Sequence, residues 1–350
     1  MASSRCGAPE RPPTQAPPAA PLAPAAERAA QLLIVDLDAD PLALGGQPGA
    51  LFTFDPASGA LALLHSSRAL VDPVDVLADR DGALLVLDQV ESGGRGAIVR
   101  LAADGRAQEI ELPPALVDPT SFARAPDGCV WVVDRGVQFA DGRGPGAVWR
   151  FAADWSGVTA VACGAPLEVP SDLAFVDGRA WILDADAWRV DIAALHEGGL
   201  FHAAQDGSGF AEAARLALVS PFSLQPWRDG RFLVADVNAD PKVPTRFCGG
   251  LYALSRDGTS ELFAWSRELR DPTCAALHAG RLYVTDGSAD PLQLGDDATG
   301  KGFAGHGRGA LFAVDLETRA VTLAAASPAF CNPVRVRVVG GAADGGGAWR

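Results

Sequence analysis

The feature that most constrains this chain is a repeat. Six segments end in an apolar run followed by aspartate: LLIVD at Asp36, LLVLD at Asp88, VWVVD at Asp134, AWILD at Asp184, FLVAD at Asp236 and LYVTD at Asp286. Their spacings are 52, 46, 50, 52 and 50 residues. A proline marker precedes five of them, in DPVDVLA at Pro73, DPTSFAR at Pro119, VPSDLAF at Pro170, SPFSLQP at Pro221 and DPTCAAL at Pro272. A tight glycine turn such as APDG or RDG separates marker from aspartate. After each aspartate a loop of variable length leads to a third apolar run (GALFTFD, GAIVRLA, GGLYALS), and a further turn leads to a fourth, weaker one. The runs are short and rich in β-branched and aromatic residues, and no long amphipathic helix interrupts them. Four strands in a unit of about 50 residues predict a propeller blade.

The closure of the ring is also predictable. The sixth unit is followed by CNPVRVRVV, from Cys331 to Val339, which reads as another first strand, whereas the unit starting at LLIVD lacks one. The expected fold is therefore all-β: a six-bladed β-propeller of four-stranded antiparallel blades over residues 31–340, its C-terminal strand pairing into the first blade. Residues 1–30, rich in Pro and Ala, bury too little apolar surface to offset chain entropy and are expected to be a disordered tail. Residues 341–350 form an expected flexible Gly-rich tail. Prolines interrupt every candidate signal-peptide window, and no run approaches the roughly 18 apolar residues of a membrane span. The expectation is a cytoplasmic monomer without a membrane partner.

The formal charge of −14 argues against nucleic acid, which needs a clustered Lys/Arg surface. It favours cations or basic partners. The six cysteines form no metal-type spacing. Cys129 and Cys163, placed in strand-like runs, are expected to be reduced core residues.

With its P-x-[DS]-[LVF]…DG-x-[LVW]-x-V-D…G-[AG]-[LV]-x-[RA] unit, the chain resembles the NHL-repeat and SMP-30 (gluconolactonase-like) six-bladed propellers from about Leu32 to Val339. That resemblance implies a channel metal held by a Glu near the first blade plus Asn and Asp at strand starts. The residues directly after the markers here are Val74, Thr120, Ser171, Phe222, Thr273 and Val334, and no Glu stands in the first-blade strands. This departure puts lactonase activity in doubt. Fold alone does not decide function.

Meander topology puts the loop after each aspartate and the connection into each marker on one face, where a site is to be sought. Two constellations stand out there. The acidic loops DxDxDP (Asp36, Asp38, Asp40), DxNxDP (Asp236, Asn238, Asp240) and DxSxDP (Asp286, Ser288, Asp290) offer alternating oxygens suited to a hard divalent cation such as Ca²⁺. The structural reading gives the first aspartate of each blade to backbone N–H groups of the turn. The second constellation is the ring two residues after each marker: Asp75, Ser121, Asp172, Ser223, Cys274 and Arg335. Asp75, Asp172, Cys274 and Arg335 are its candidate catalytic members, able to bind a polar ligand or shift a carboxylate pKa. The competing reading is that the ring ties blade to blade.

GDDATGKG, from Gly295 to Gly302, lacks the Ser/Thr and the helix of a phosphate loop. His196 and His202 are six residues apart, not the four that a helical zinc motif requires. Two functions follow as expectations. One is a binding scaffold whose acidic loop face holds a small polar ligand or a protein or peptide. The other is an SMP-30-like hydrolase or lyase, divalent-metal-assisted, working at the channel mouth.

Overall fold

A computed structural model describes residues 31–39, 41–42, 49–89, 95–111, 116–136, 146–188, 197–237, 249–292 and 308–339. Both tails, Asp40, His196, Asn238, Asp240 and the GDDATGKG segment lie outside these residues. The chain folds as six separate four-stranded antiparallel sheets. From the axis outward, blade one contains Pro333–Val339, Gln31–Asp36, Ala50–Asp55 and Ala60–Ser66. The innermost strands of blades two to six are Pro73–Ala78, Pro119–Arg124, Pro170–Val176, Pro221–Pro226 and Pro272–His278. Each touches the innermost strand on either side, so the six close a ring. The expected closure is present, with Val336 opposite Ile34 and Val339 opposite Gln31.

The core lies between blades. Second strands such as Leu84–Asp88 and Val130–Asp134 are buried on both faces because each face meets a neighbouring sheet. Their sequences are accordingly continuous apolar runs rather than alternating ones. Fourth strands have a neighbour on one edge only, and most of their residues are exposed or part-exposed. This corrects the expectation for the cysteines. Both are free thiols, but Cys163 ends the outer strand Val158–Cys163 and is exposed, and Cys129 sits part-exposed in a turn. No helix among the described residues is long and apolar enough to cross a membrane.

The repeat signature is the set of contacts that joins blades. Every innermost strand carries a bulge at its start, between the marker proline and the residue two further on, as at Pro73/Asp75 and Pro272/Cys274. The bulged residue is turned towards the next blade. Thr120 donates to the Pro170 carbonyl at 2.7 Å, Ser171 to Pro221 at 3.0 Å, and Thr273 to Pro333 at 3.1 Å. The glycine opening each third strand lies under the marker ring of the following blade. A Cβ on Gly49, Gly96, Gly249 or Gly309 would overlap Pro73, Pro119, Pro272 or Pro333 respectively.

Candidate functional site

The aspartate ending each second strand acts as a latch. Asp88 accepts the N–H groups of Val71 and Asp72 at 2.8 and 3.1 Å, and Asp134 those of Val117 and Asp118 at 2.9 Å each. Asp184, Asp236 and Asp286 bind the two residues before their own markers in the same way. In blade one the latch joins the two ends of the chain, Asp36 accepting from Cys331 and Asn332 at 2.9 Å each. The donors thus come mainly from the approach to the marker. The loop after the aspartate adds one more N–H in several blades, as with Ser288 to Asp286 at 3.0 Å. Burial outweighs these bonds and pushes the Asp36 and Asp286 carboxyls up to about 7 and Asp184 to about 6.

Second carboxylates stand beside the latches on the loop face. Asp38 accepts from the Asn332 side-chain amide at 3.3 Å. Ser288 is 5 % exposed and donates to Asp271 at 3.1 Å. Asp290 follows two residues later, part-exposed. Among the described residues no three His, Cys, Asp or Glu side chains are grouped as a metal would need. His202 lies on the strand Glu197–Ala204, paired with Arg179 at 3.1 Å.

The ring two residues after the markers does converge, and it closes the axis. Asp75, Ser121, Asp172, Ser223, Cys274 and Arg335 are all at most 2 % exposed. Arg335 leaves blade one and crosses the channel. It donates to Asp172 of the opposite blade four at 3.0 Å and to the Thr120 carbonyl of blade three at 3.1 Å. Cys274 Sγ of blade six lies 3.8 Å from the same guanidinium. Ser121 Oγ sits between the two carboxylates, 2.8 Å from Asp75 and 2.6 Å from Asp172. Its single proton serves one of them at a time. The carboxylates also cap neighbouring strands, Asp75 accepting from Phe122 N–H at 3.2 Å and Asp172 from Leu224 N–H at 2.8 Å.

A residue the sequence reading passed over completes the group. Arg337 grips Asp75 through Nε at 2.8 Å and Nη2 at 2.5 Å, and its Nη2 also reaches Ser121 at 3.3 Å. The signal was available in VRVRVV, where two arginines alternate within a strand that must be buried to close the ring. Two carboxylates therefore meet two guanidiniums in an enclosed space. Burial works to raise the Asp75 pKa, but Arg337 and Arg335 outweigh it and hold the carboxyl below the ordinary range. Burial pushes the Cys274 thiol up, against the pull of the same arginines.

No family model matches this chain, and no curated protein matches it. Among solved structures, a chain from the crystal structure of a nidogen/laminin complex is similar, with a TM-score of 0.62 and 12 % identity. The match covers 89 % of this chain and 98 % of that one. At that identity the likeness is one of fold.

Proposed function

We propose that this propeller is a binding scaffold whose acidic loop face receives a basic protein or peptide, or a small polar cation. The observation that carries the reading is the matching of charges at the axis. Asp75, Asp172, Arg335 and Arg337 are bonded to one another, and the recurring positions of the repeat hold blade to blade. The surface offered to a partner is then the loop face, where Asp38, Asp186, Asp271 and Asp290 place carboxylates beside the latches on a chain of formal charge −14. A similar fold occurs in a crystal structure of a nidogen/laminin complex, which favours a protein as partner and says nothing of its charge. The test is calorimetric titration with an Arg/Lys-rich peptide at about 50 and about 300 mM salt, where screening lengths differ roughly twofold. Binding should weaken with salt and with the triple change Asp38→Asn, Asp271→Asn, Asp290→Asn. Binding indifferent to both would count against the acidic face.

The convergence of Asp75, Asp172, Cys274 and Arg335 with Ser121 favours a second reading, a hydrolase or lyase of the SMP-30 kind working at the axis. Turnover of lactones or esters, lost in a folded Asp172→Asn variant that also loses a tightly held divalent ion, would establish it in place of the scaffold.

A further inference from the structure

The loops that follow the latches differ from blade to blade in length and sequence, with one exception. After Asp36, blade one reads ADPLALG from Ala39 to Gly45, and after Asp286, blade six reads ADPLQLG from Ala289 to Gly295. The copies differ only at Ala43 and Gln293. Blade five keeps Ala239, Asp240 and Pro241 but has Lys242 where the first leucine stands, and blades two to four have nothing similar. The propeller fold therefore does not require that leucine. Leu42 is 42 % exposed and Leu292 is 43 % exposed. The other large apolar side chains so exposed among the described residues, Leu63, Leu262 and Leu323, lie on outer strands. A single exposed leucine is ordinary on a folded surface. Recurrence at one loop position, in adjacent blades, is not. We propose that Leu42 and Leu292 are paired apolar anchors of a docking site for a basic, amphipathic segment of a partner protein, a proposal that rests on the acidic loop face as the binding surface.

Each loop holds its leucine in the same way. The residue two after the latch donates its N–H back to the latch carboxylate, Asp38 to Asp36 at 3.3 Å and Ser288 to Asp286 at 3.0 Å. The next residue is sunk in the core, Ala39 at 1 % and Ala289 at 2 % exposed. Pro41 or Pro291 then sets the backbone into a turn, and the leucine stands at that turn. The two loops meet through one side chain. Asn332 donates to Asp38 at 3.3 Å, and a Cβ on Gly287 would come within 2.5 Å of the Asn332 Oδ1. Asp38 and Asp290 stand on these loops, and Asp271 accepts from Ser288 of one of them, so the leucines sit among carboxylates. Apolar anchors inside a polar border are the layout of a protein-binding patch. Charge selects the occupant. A second copy of this chain, at a formal charge of −14, would bring carboxylates against carboxylates. A cationic segment with leucines along one face offers both the apolar contact and the opposite charge.

The test is calorimetric titration of the full chain with two peptides of equal length and charge. One is a Lys/Leu peptide with leucines at helical spacing, the other a Lys/Ser peptide with serine in their place. The Lys/Leu peptide should bind at least about tenfold tighter, the scale expected for covering two half-exposed leucines. Leu42→Ser combined with Leu292→Ser should remove that preference. It should leave the Lys/Ser affinity and the melting temperature as they were, since both side chains are already half in water. Leu323→Ser, at an outer-strand leucine that is 47 % exposed, should change neither affinity. Equal binding of the two peptides, no binding of the Lys/Leu peptide, or a preference that survives the double change overturns the proposal. So does a dimer in sedimentation that the double change dissociates. Equal but salt-sensitive binding of both peptides would remove the leucine anchors and leave the acidic face standing. A leucine-dependent preference with binding indifferent to salt would keep the anchors and overturn the acidic face.

Discussion

Asp36 and Asp75 show how one residue type serves two opposite ends in this fold. Asp36 is buried among backbone donors, and the cost of that burial outweighs their bonds, so its carboxyl keeps a proton up to about 7 against an ordinary 3.8, and Asp286 does the same. Across that window the folded chain binds more protons than the unfolded one, so these groups make stability fall as pH rises from about 4 to about 7. Asp75 acts in reverse. Its carboxyl is held below the ordinary value, so its contribution is complete above that value and is lost in stronger acid. Burial lowers the His65 pKa, and that group favours higher pH, so the clean readout is a difference between two proteins. Urea midpoints between pH 5 and pH 8 should fall more steeply in the wild type than in Asp36→Asn. Equal slopes would show that Asp36 carries no proton in this range. The ring positions were legible because they recur at fixed distance from a marker. Arg337 does not show in a comparison of the repeats, since Leu, Ala or Gln stands at its place in every other blade; only the alternation within VRVRVV marks it.

At the scale of the element, the glycine before each third strand and the proline before each first strand form one contact seen from two blades. Sequence shows both as punctuation within a unit. Their reason lies between units, and only the ring brings Gly249 under Pro272. Gly249→Ala must push that ring away and should destabilise by about 1–3 kcal/mol in chemical denaturation, the range for overpacked sites. Gly157→Ala is the matched control. No atom lies within 4 Å of its added Cβ, so the change should stay within about 0.5 kcal/mol. The outer strands misled for a related reason. The apolar run at Val158–Cys163 reads as a core strand, but a blade's fourth strand has one free edge, which leaves Cys163 in solvent.

For the whole molecule, the closing strand is both latch and plug. It completes blade one, follows directly on Cys331 and Asn332, the donors for Asp36, and carries the two arginines that pair with the axial carboxylates. A chain ending after residue 332 should lose cooperative unfolding, read as a sigmoidal urea transition becoming a gradual slope, because an open ring leaves Asp75 and Asp172 without cations. On the face away from the loops, arginines also cross between blades: Arg124 to Asp79 at 3.0 Å, Arg256 to Asp177 at 2.5 Å, and Arg319 to the Leu262 carbonyl at 3.4 Å. The last two contacts are exposed and the first is part-buried near the surface; each exposed one contributes about 0–1 kcal/mol, so the enclosed charges at the axis dominate the electrostatics of assembly. Removing one member of a buried pair typically costs about 3–5 kcal/mol, while replacing both by apolar groups of similar size is often neutral. The decisive measurement is a double-mutant cycle in urea with Arg335→Met, Asp172→Leu and the pair together. If the charges at the axis serve to hold the ring, each single change should cost about 3–5 kcal/mol and the double change markedly less than their sum. Single changes that leave stability untouched but abolish turnover of a lactone or ester would contradict this account and make the axis an active site.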